Sequence, residues 1–315
     1  MTAPYPFLST TLPTAPQRLL TQARNLPTPR VALVNAGAVT PLLGIREAAE
    51  AGLAEPILIG DTAKIRAAAA AIEYDISNLR IVHAPHAQAS EKAAELAREG
   101  EVDAIMKGQV HTSTFLKSLL PTKAGLRDKN TRCTHLFHIT TPHSDRPLLL
   151  TDAALNVDPS IETRQACLAH AVALAQTLGI TRPKAALLAP SEDATPSITN
   201  TMESASIAEW AKANQPQADV AGPIAMDLIL SKQAAEIKGY KSTVAGDADI
   251  IITPNITTGN ALFKFMVLGM GCCAGGLVVG ARVPILLTSR SQEAAARLAS
   301  AALGAISAHQ VKKAL

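Results

Sequence analysis

The chain has 315 residues, which at about 150 residues per domain favours two domains. Hydrophobic residues make up 48% and charged residues 17%, so a sizeable core can be buried and global disorder is excluded. Aromatics are only 3% and the formal net charge is +3. That balance suits small anionic ligands and excludes a base-stacking platform or a nucleic-acid footprint.

Residues 1–30 carry six prolines and leave room only for a short helix around Gln17–Asn25. No basic region followed by an apolar block opens the chain, so no signal peptide is expected. A regular rhythm then sets in. Arg30–Asn35 reads as a buried parallel strand, and Pro41–Gly52 as an amphipathic helix with Leu42, Ile45 and Ala49 at helical spacing. Pro56–Gly60 is the next strand, Thr62–Ile72 a helix, Leu79–His83 a strand and Ala89–Gly100 a helix. Asp103–Met106 is a strand running into Lys107-Gly108. Such alternation predicts a doubly wound parallel sheet, whose ligands bind outside the carboxyl ends of its strands.

The polar, turn-forming stretch Thr140–Asp145 is expected to be a domain junction. Beyond it come strand Pro147–Leu150, helix Ile161–Leu178, strand Ala185–Leu188, helix Thr199–Asn214 and strand Asp219–Val220. Helix Lys232–Ile237, strand Ile250–Thr253 and a helix starting at Asn260 follow. Strands Gly276–Val279 and Pro284–Thr288 lead to a final alanine-rich helix, Gln292–His309. No charge lies between Lys264 and Arg282, but the stretch is shorter than the about 20 residues of a spanning helix and is broken by glycines. It reads as a helix end, a turn and a strand, in a soluble protein.

Four stretches could carry chemistry. Lys107–Thr114 joins a strand end to a helix start, where free backbone N–H groups, the hydroxyls of Thr112 and Ser113, and the charges of Lys107 and Lys117 could cradle a phosphate. An ordinary helix cap explains the same residues, and the pattern is not GxxxxGK[ST]. Thr288-Ser289-Arg290-Ser291 repeats the arrangement with an arginine fork suited to phosphate. Thr151–Asn156 places Asp152 at a third strand end, as a turn cap or as the holder of a cationic ligand-binding group. Val244–Asp249 and Pro254–Asn260 flank a fourth strand, with Asn260 at a helix start and Lys264 one turn on.

Other chemistries find little support. His135 and His138 point to opposite faces of a strand, and no HExxH or comparable ligand spacing exists. The four cysteines form neither a disulfide framework nor a CxxC pair. There is no GxSxG elbow, and the glycines around Gly271 are not a dinucleotide fingerprint.

Taken together the stretches resemble the phosphate acetyltransferases and phosphate butyryltransferases. The matching segments are Glu55–Asp61, Met106-Lys107-Gly108, His111–Leu120, Leu149–Asn156, Gly222–Asp227, Val244–Asp249, Gly259-Asn260 with Lys264, and Leu287–Arg290. They occur in family order over nearly the whole chain from about residue 30, and the Lys-Gly-x-Val-x-Thr-Ser form looks closer to the butyryl-type branch.

The resemblance implies reversible transfer of an acetyl or butyryl group between coenzyme A and inorganic phosphate in a ternary complex. Acyl-CoA and acyl phosphate are then the partners, with coenzyme A as substrate, no resident cofactor and no metal. It implies an α/β fold of two doubly wound three-layer lobes with a cleft between them, similar to isopropylmalate dehydrogenase. One lobe is residues 1–140 plus 281–315 and the other 141–280. It further implies a cytoplasmic homodimer. By matching position, Arg290 binds phosphate or polarises the carbonyl, and Ser289 donates to the oxyanion or leaving group. Lys107, Thr112, Ser113 and Lys117 bind phosphate, Asn260 and Lys264 position the acyl phosphate or CoA, and Asp152, Asn156 and Asp227 support them. Acetyl-type members carry aspartates soon after the Ser-Arg pair, whereas here Glu293 is the only acid in that run. The base for the thiol is therefore Glu293, another acid such as Asp227, or simply the electrostatic surroundings. A non-catalytic CoA- or acyl-phosphate-binding protein and a decarboxylating dehydrogenase of the same architecture remain the alternatives.

Overall fold

The computed structural model describes residues 5–287 and 293–314. In chain order the elements begin with α1 (Gln17–Arg24), β1 (Arg30–Val34), α2 (Val39–Glu50), β2 (Glu55–Gly60) and α3 (Thr62–Ala71). Next are β3 (Arg80–His83), α4 (Ala89–Arg98), β4 (Ala104–Lys107), α5 (Thr112–Leu119), β5 (Thr134–Thr141) and β6 (Ser144–Thr151). They continue with α6 (Ile161–Thr177), β7 (Lys184–Leu188), α7 (Thr199–Asn214), β8 (Asp219–Ile224), α8 (Met226–Leu230) and α9 (Lys232–Ile237). The last are β9 (Ile250–Ile252), α10 (Ile256–Met270), β10 (Cys273–Val279), β11 (Ile285–Leu286) and α11 (Ala294–Ala314). This is an α/β protein with mixed sheet. It divides into two compact units, Pro13–Cys133 with Cys273–Leu315, and Met1–Leu12 with Thr134–Cys272.

In the first of these units the strands run β3-β2-β1-β4-β11-β10. All neighbours are parallel except β10, which lies antiparallel to β11. The interior strands are almost wholly buried, as parallel strands covered on both faces must be. Right-handed crossovers place α2 and α3 on one face, and α4, whose connection runs the opposite way, on the other. The alanine-rich α11 comes very close to the sheet. A Cβ on Gly275 would sit 2.8 Å from the Ala299 carbonyl carbon, and one on Gly304 2.9 Å from Leu286 Cδ1. Small residues on both sides permit that approach, and the Gly276 N–H donates to Ser300 Oγ at 3.0 Å.

The second unit has strand order β5-β6-β9-β7-β8. β5 and β6 form an antiparallel hairpin, and the remaining neighbours are parallel. The turn of that hairpin is the stretch Thr140–Asp145 that the sequence marked as a domain junction. The chain instead divides at Cys133/Thr134 and Cys272/Cys273, and residues 1–12 go with the central segment. Inside this unit the fully buried Arg164 of α6 donates to Ser204 Oγ (2.9 Å) and Glu203 Oε2 (3.2 Å), tying α6 to α7.

Carboxylates bolt the amino ends of strands within each unit. Asp103 accepts from the Arg30 backbone N–H (2.9 Å) and guanidinium (2.8 Å) and pairs with Lys312 (2.8 Å). Burial pushes this carboxyl up, but the hydrogen bonds from Arg30 and Lys312 overcome it and hold its pKa at about 2. In the second unit Asp247 pairs with Lys184 (2.5 Å) and Arg146 (2.8 Å), and Asp249 with Arg146 (3.0 Å).

Candidate functional site

Within the first unit the strand order reverses at β1: β2 and β3 are added on one side, β4 and β11 on the other. In open α/β sheets the carboxyl ends at such a reversal form the ligand crevice. Here they are Asn35 after β1 and Lys107-Gly108-Gln109 after β4. The two exits touch. The Gln109 N–H donates to Asn35 O at 3.1 Å, and a Cβ on Gly108 would lie 2.2 Å from Val34 O. Only glycine allows that approach. Lys107 is buried, and its ammonium reaches the carbonyls of Gly108 (3.4 Å) and Val110 (3.3 Å), curling the loop back on itself. The loop then opens α5. His111 in the N-cap position is extended and places no side-chain cap on the helix, while Thr112 and Ser113 are exposed. Uncapped N–H groups, two hydroxyls and the exposed Lys117 one turn on make a surface that favours an anion.

In the second unit the carboxyl ends of β6 and β9 are welded together. The buried Asp152 carboxylate accepts four hydrogen bonds: from the N–H groups of Ala154 and Leu155 (2.9 Å each), the His135 N–H (3.0 Å) and Asn156 Nδ2 (2.7 Å). Its backbone carbonyl accepts from Thr253 Oγ1 at 2.7 Å. α10 begins at Ile256 and not at Asn260, because Asn255 Oδ1 caps it by accepting from the Thr258 N–H at 3.0 Å. Gly259 then packs on the loop so closely that a Cβ would meet Asp152 O at 2.4 Å, and Asn260 Nδ2 donates to Ala153 O at 3.2 Å. Asp152, Asn156 and Asn260 are thus brought together, and Lys264 follows one turn along α10 with its side chain exposed.

The other expected residues are placed differently. Asp227, at the start of α8 beyond β8, pairs with Lys238 at 3.1 Å, and that hydrogen bond lowers its carboxyl below the ordinary range. Val244–Asp249, taken as part of a site, lies at the amino end of β9, where Asp247 and Asp249 form the bolt described above. Glu293 is exposed, and its carbonyl accepts from the Ala296 and Arg297 N–H groups at the start of α11. Ser289 and Arg290 lie outside the described residues. His135 and His138 are both buried, and burial drives each imidazole down to a pKa of about 4. Among the described residues no three His, Cys, Asp or Glu side chains are grouped to hold a metal. No described helix is long and apolar enough to cross a membrane.

Sequence reasoning passed over Asn35 and Thr253, and gave Asn255, inside the candidate stretch Pro254–Asn260, no role of its own. Asn35 adopts φ +54° and donates through Nδ2 to His86 O at 3.2 Å, so the turn out of β1 is shaped by a side chain tolerant of the left-handed region. An asparagine directly after an apolar strand was the available signal.

A family model described as "Phosphate acetyl/butaryl transferase" matches residues 83–305. The chain is 39% identical over 269 residues to a phosphate acetyltransferase of Rhizobium meliloti, covering 85% of each sequence. It is 36% identical over 267 residues to a phosphate butyryltransferase of Clostridium acetobutylicum, covering 84% of this chain and 88% of the relative. Among solved structures, a branched-chain phosphotransacylase from Enterococcus faecalis V583 superposes with a TM-score of 0.76 at 27% identity, covering 89% of this chain and 99% of the other. With the Lys107-Gly108 crevice, the uncapped α5 and the Asp152–Asn260 weld all falling in matched residues, the chain belongs to the phosphate acetyl/butyryltransferase family.

Proposed function

We propose that the protein catalyses reversible acyl transfer between coenzyme A and inorganic phosphate. The observation that carries this reading is the glycine-permitted crevice at the β1/β4 exits, opening onto an α5 amino end that no side chain caps. It is an anion site in a chain of this family. The thiolate of coenzyme A attacks the carbonyl carbon of an acyl phosphate, the C–S bond forms, and the C–O bond to phosphate breaks. Phosphate leaves with the electron pair. In the reverse direction a phosphate oxygen attacks the thioester and the thiolate departs.

Each residue's task follows from its chemistry. Thr112, Ser113 and Lys117 hold the phosphate, which is where the leaving group gathers charge. Lys107 shapes their loop from beneath. Arg290 and Ser289 stabilise the carbonyl oxygen or the leaving phosphate as charge develops. Asn260 and Lys264 position the acyl phosphate or the CoA end, with Asp152 and Asn156 fixing the loop against which Asn260 rests. Juxtaposing two bound substrates supplies much of the rate enhancement. A thiol with an ordinary pKa of about 8.5 needs help to ionise at neutral pH. Asp227 is a poor base because Lys238 lowers its basicity, which leaves the exposed Glu293 as the better acid for that task. The same reading includes a cytoplasmic homodimer without a resident cofactor or metal. It also includes two doubly wound lobes of the isopropylmalate-dehydrogenase kind.

Phosphate-dependent release of CoA thiol from acetyl-CoA and butyryl-CoA tests the proposal. The wild-type protein is expected to turn over at least one of them, and Arg290→Ala to lose on the order of 100- to 1,000-fold in kcat, as deletion of an oxyanion donor does. The ratio of the two substrates gives the acyl preference. Measurable CoA binding without phosphate-dependent release of thiol from either substrate would favour a binding protein instead.

A further inference from the structure

Aromatics are scarce in this chain, yet two of its five phenylalanines stack beside the start of α10. Phe263 lies flat on Phe137 of β5, with centroids 3.9 Å apart and planes 6° from parallel. The His135 ring meets Phe137 edge-on, at 4.4 Å and 69°. His135 is also the residue whose N–H donates to Asp152, so the stack and the Asp152 loop share the start of β5. Phe137 is buried, whereas Phe263, the outer ring, is half-buried. On α10 Phe263 falls three residues after Asn260 and next to Lys264, which puts the three on adjoining parts of one helix face. Helical side chains lean toward the amino end, so the ring lies over the turn that carries Gly259 and Asn260.

We propose that Phe263 is the wall against which the acyl chain rests, and that it sets the longest acyl group the protein accepts. An acyl phosphate joins an anionic head to a short apolar tail. Asn260 and Lys264 offer a polar group and a cation for the head, and the ring beside them is an apolar surface for the tail. The stack makes that wall rigid. Phe137 backs the ring across its face and His135 backs Phe137, in contacts that add to simple area burial. A rigid wall rejects an extra methylene where a flexible methionine would repack around it. This inference rests on the proposed acyl-transfer reading, because it takes Asn260 and Lys264 as the groups that position the acyl phosphate.

Phosphate-dependent kinetics with acetyl-, butyryl- and hexanoyl-CoA test it on the wild type, Phe263→Ala, Phe263→Trp and, as a control on another surface, Ile237→Ala. The readout is kcat/KM for each longer thioester relative to acetyl-CoA. Phe263→Ala should raise that ratio on the order of 10-fold and Phe263→Trp should lower it by a similar factor, while Ile237→Ala leaves it unchanged. Phe137→Leu leaves the outer ring in place without its backing, and should shift the ratio as Phe263→Ala does but less. Far-UV circular dichroism checks that each variant folds, and Phe263→Leu carries the same expectation at smaller size if Phe263→Ala does not. A loss shared equally by all three thioesters would mean that the stack merely holds α10, and would overturn the proposal. So would a ratio that alanine and tryptophan move in the same direction. Calorimetric binding of the same thioesters reads the wall without turnover, with the same signs expected. Binding that follows this length dependence without transfer to phosphate would overturn the acyl-transfer reading and support the wall. Binding whose length dependence is identical in all variants would overturn the wall.

Discussion

Replacing Gly108 by alanine would drive a methyl group to within 2.2 Å of the Val34 carbonyl oxygen, backbone that cannot give way without opening the β1/β4 crevice. The cost should be at least about 2 kcal/mol. Because the strain falls where phosphate is proposed to bind, the KM for phosphate should rise as well, in contrast to a core mutation of equal cost. Urea unfolding and initial-rate kinetics on the same preparation would separate the two effects. Asp152→Ala acts through a different route. It strands the buried His135 N–H, the partly buried N–H groups of Ala154 and Leu155, and the Asn156 amide, and should cost about 3 kcal/mol. Asn260→Ala removes a single bond to Ala153 O and should cost about 1 kcal/mol. A denaturant midpoint that moved equally for Asp152→Ala and Asn260→Ala would contradict this account of the weld.

For the elements, the cap of α10 offers a compact test. Asn255→Ala takes the acceptor from the Thr258 N–H and should destabilise by about 1 kcal/mol, whereas Asn255→Asp should be nearly silent. The same helix shows where the sequence was readable and where it was not. The strands from Arg30 to Met106 and the helices between them stood out, because buried parallel strands are short apolar runs and their helices close on glycine or carry amphipathic spacing. The true start of α10 was hidden, since Asn255-Ile256-Thr257-Thr258 looks like a polar loop until the cap geometry is seen. Thr140–Asp145 misled for the same reason: a hairpin turn and a domain junction draw on the same residue types. The site was half legible. The loop at Lys107–Ser113 could be found from its neighbours in sequence. The role of Asp152 depends on partners as far away as His135 and Thr253, and Val244–Asp249 carries a glycine and two aspartates that suggest a ligand but serve the opposite edge of the sheet.

At the scale of the whole molecule, pH acts on stability through buried groups whose signs agree. His138 and His135 have pKa values of about 4 in the folded chain, whereas the unfolded chain binds protons near 6.5. The unfolded state therefore takes up more protons below pH 6.5. Their contribution is fully present above pH 6.5 and is lost progressively on the way down to pH 4. Asp103, held at about 2, adds a second decline. Its stabilisation, about 2 kcal/mol, is complete above the unfolded carboxylate pKa near 4 and disappears as pH falls through 2. Denaturant titrations between pH 8 and 3 should thus show stability falling from pH 6.5. His138→Gln should flatten the upper part of the curve, and Asp103→Asn the lower part. A curve level between pH 6.5 and 5 would contradict the burial of the two imidazoles.

The division of the chain also bears on how it is made. One unit takes β1 to β4 from the first part of the chain and β10, β11 and α11 from the last, with the other unit's strands lying between them in sequence. During synthesis the strand that pairs with β4, and the helix that presses on Gly275, emerge only after every strand of the other unit. The central unit, apart from residues 1–12, is a continuous stretch and can be complete before then. A nascent chain halted near residue 280 would therefore expose the open flank of β4. The unpaired backbone groups of that flank are a template for pairing with another chain.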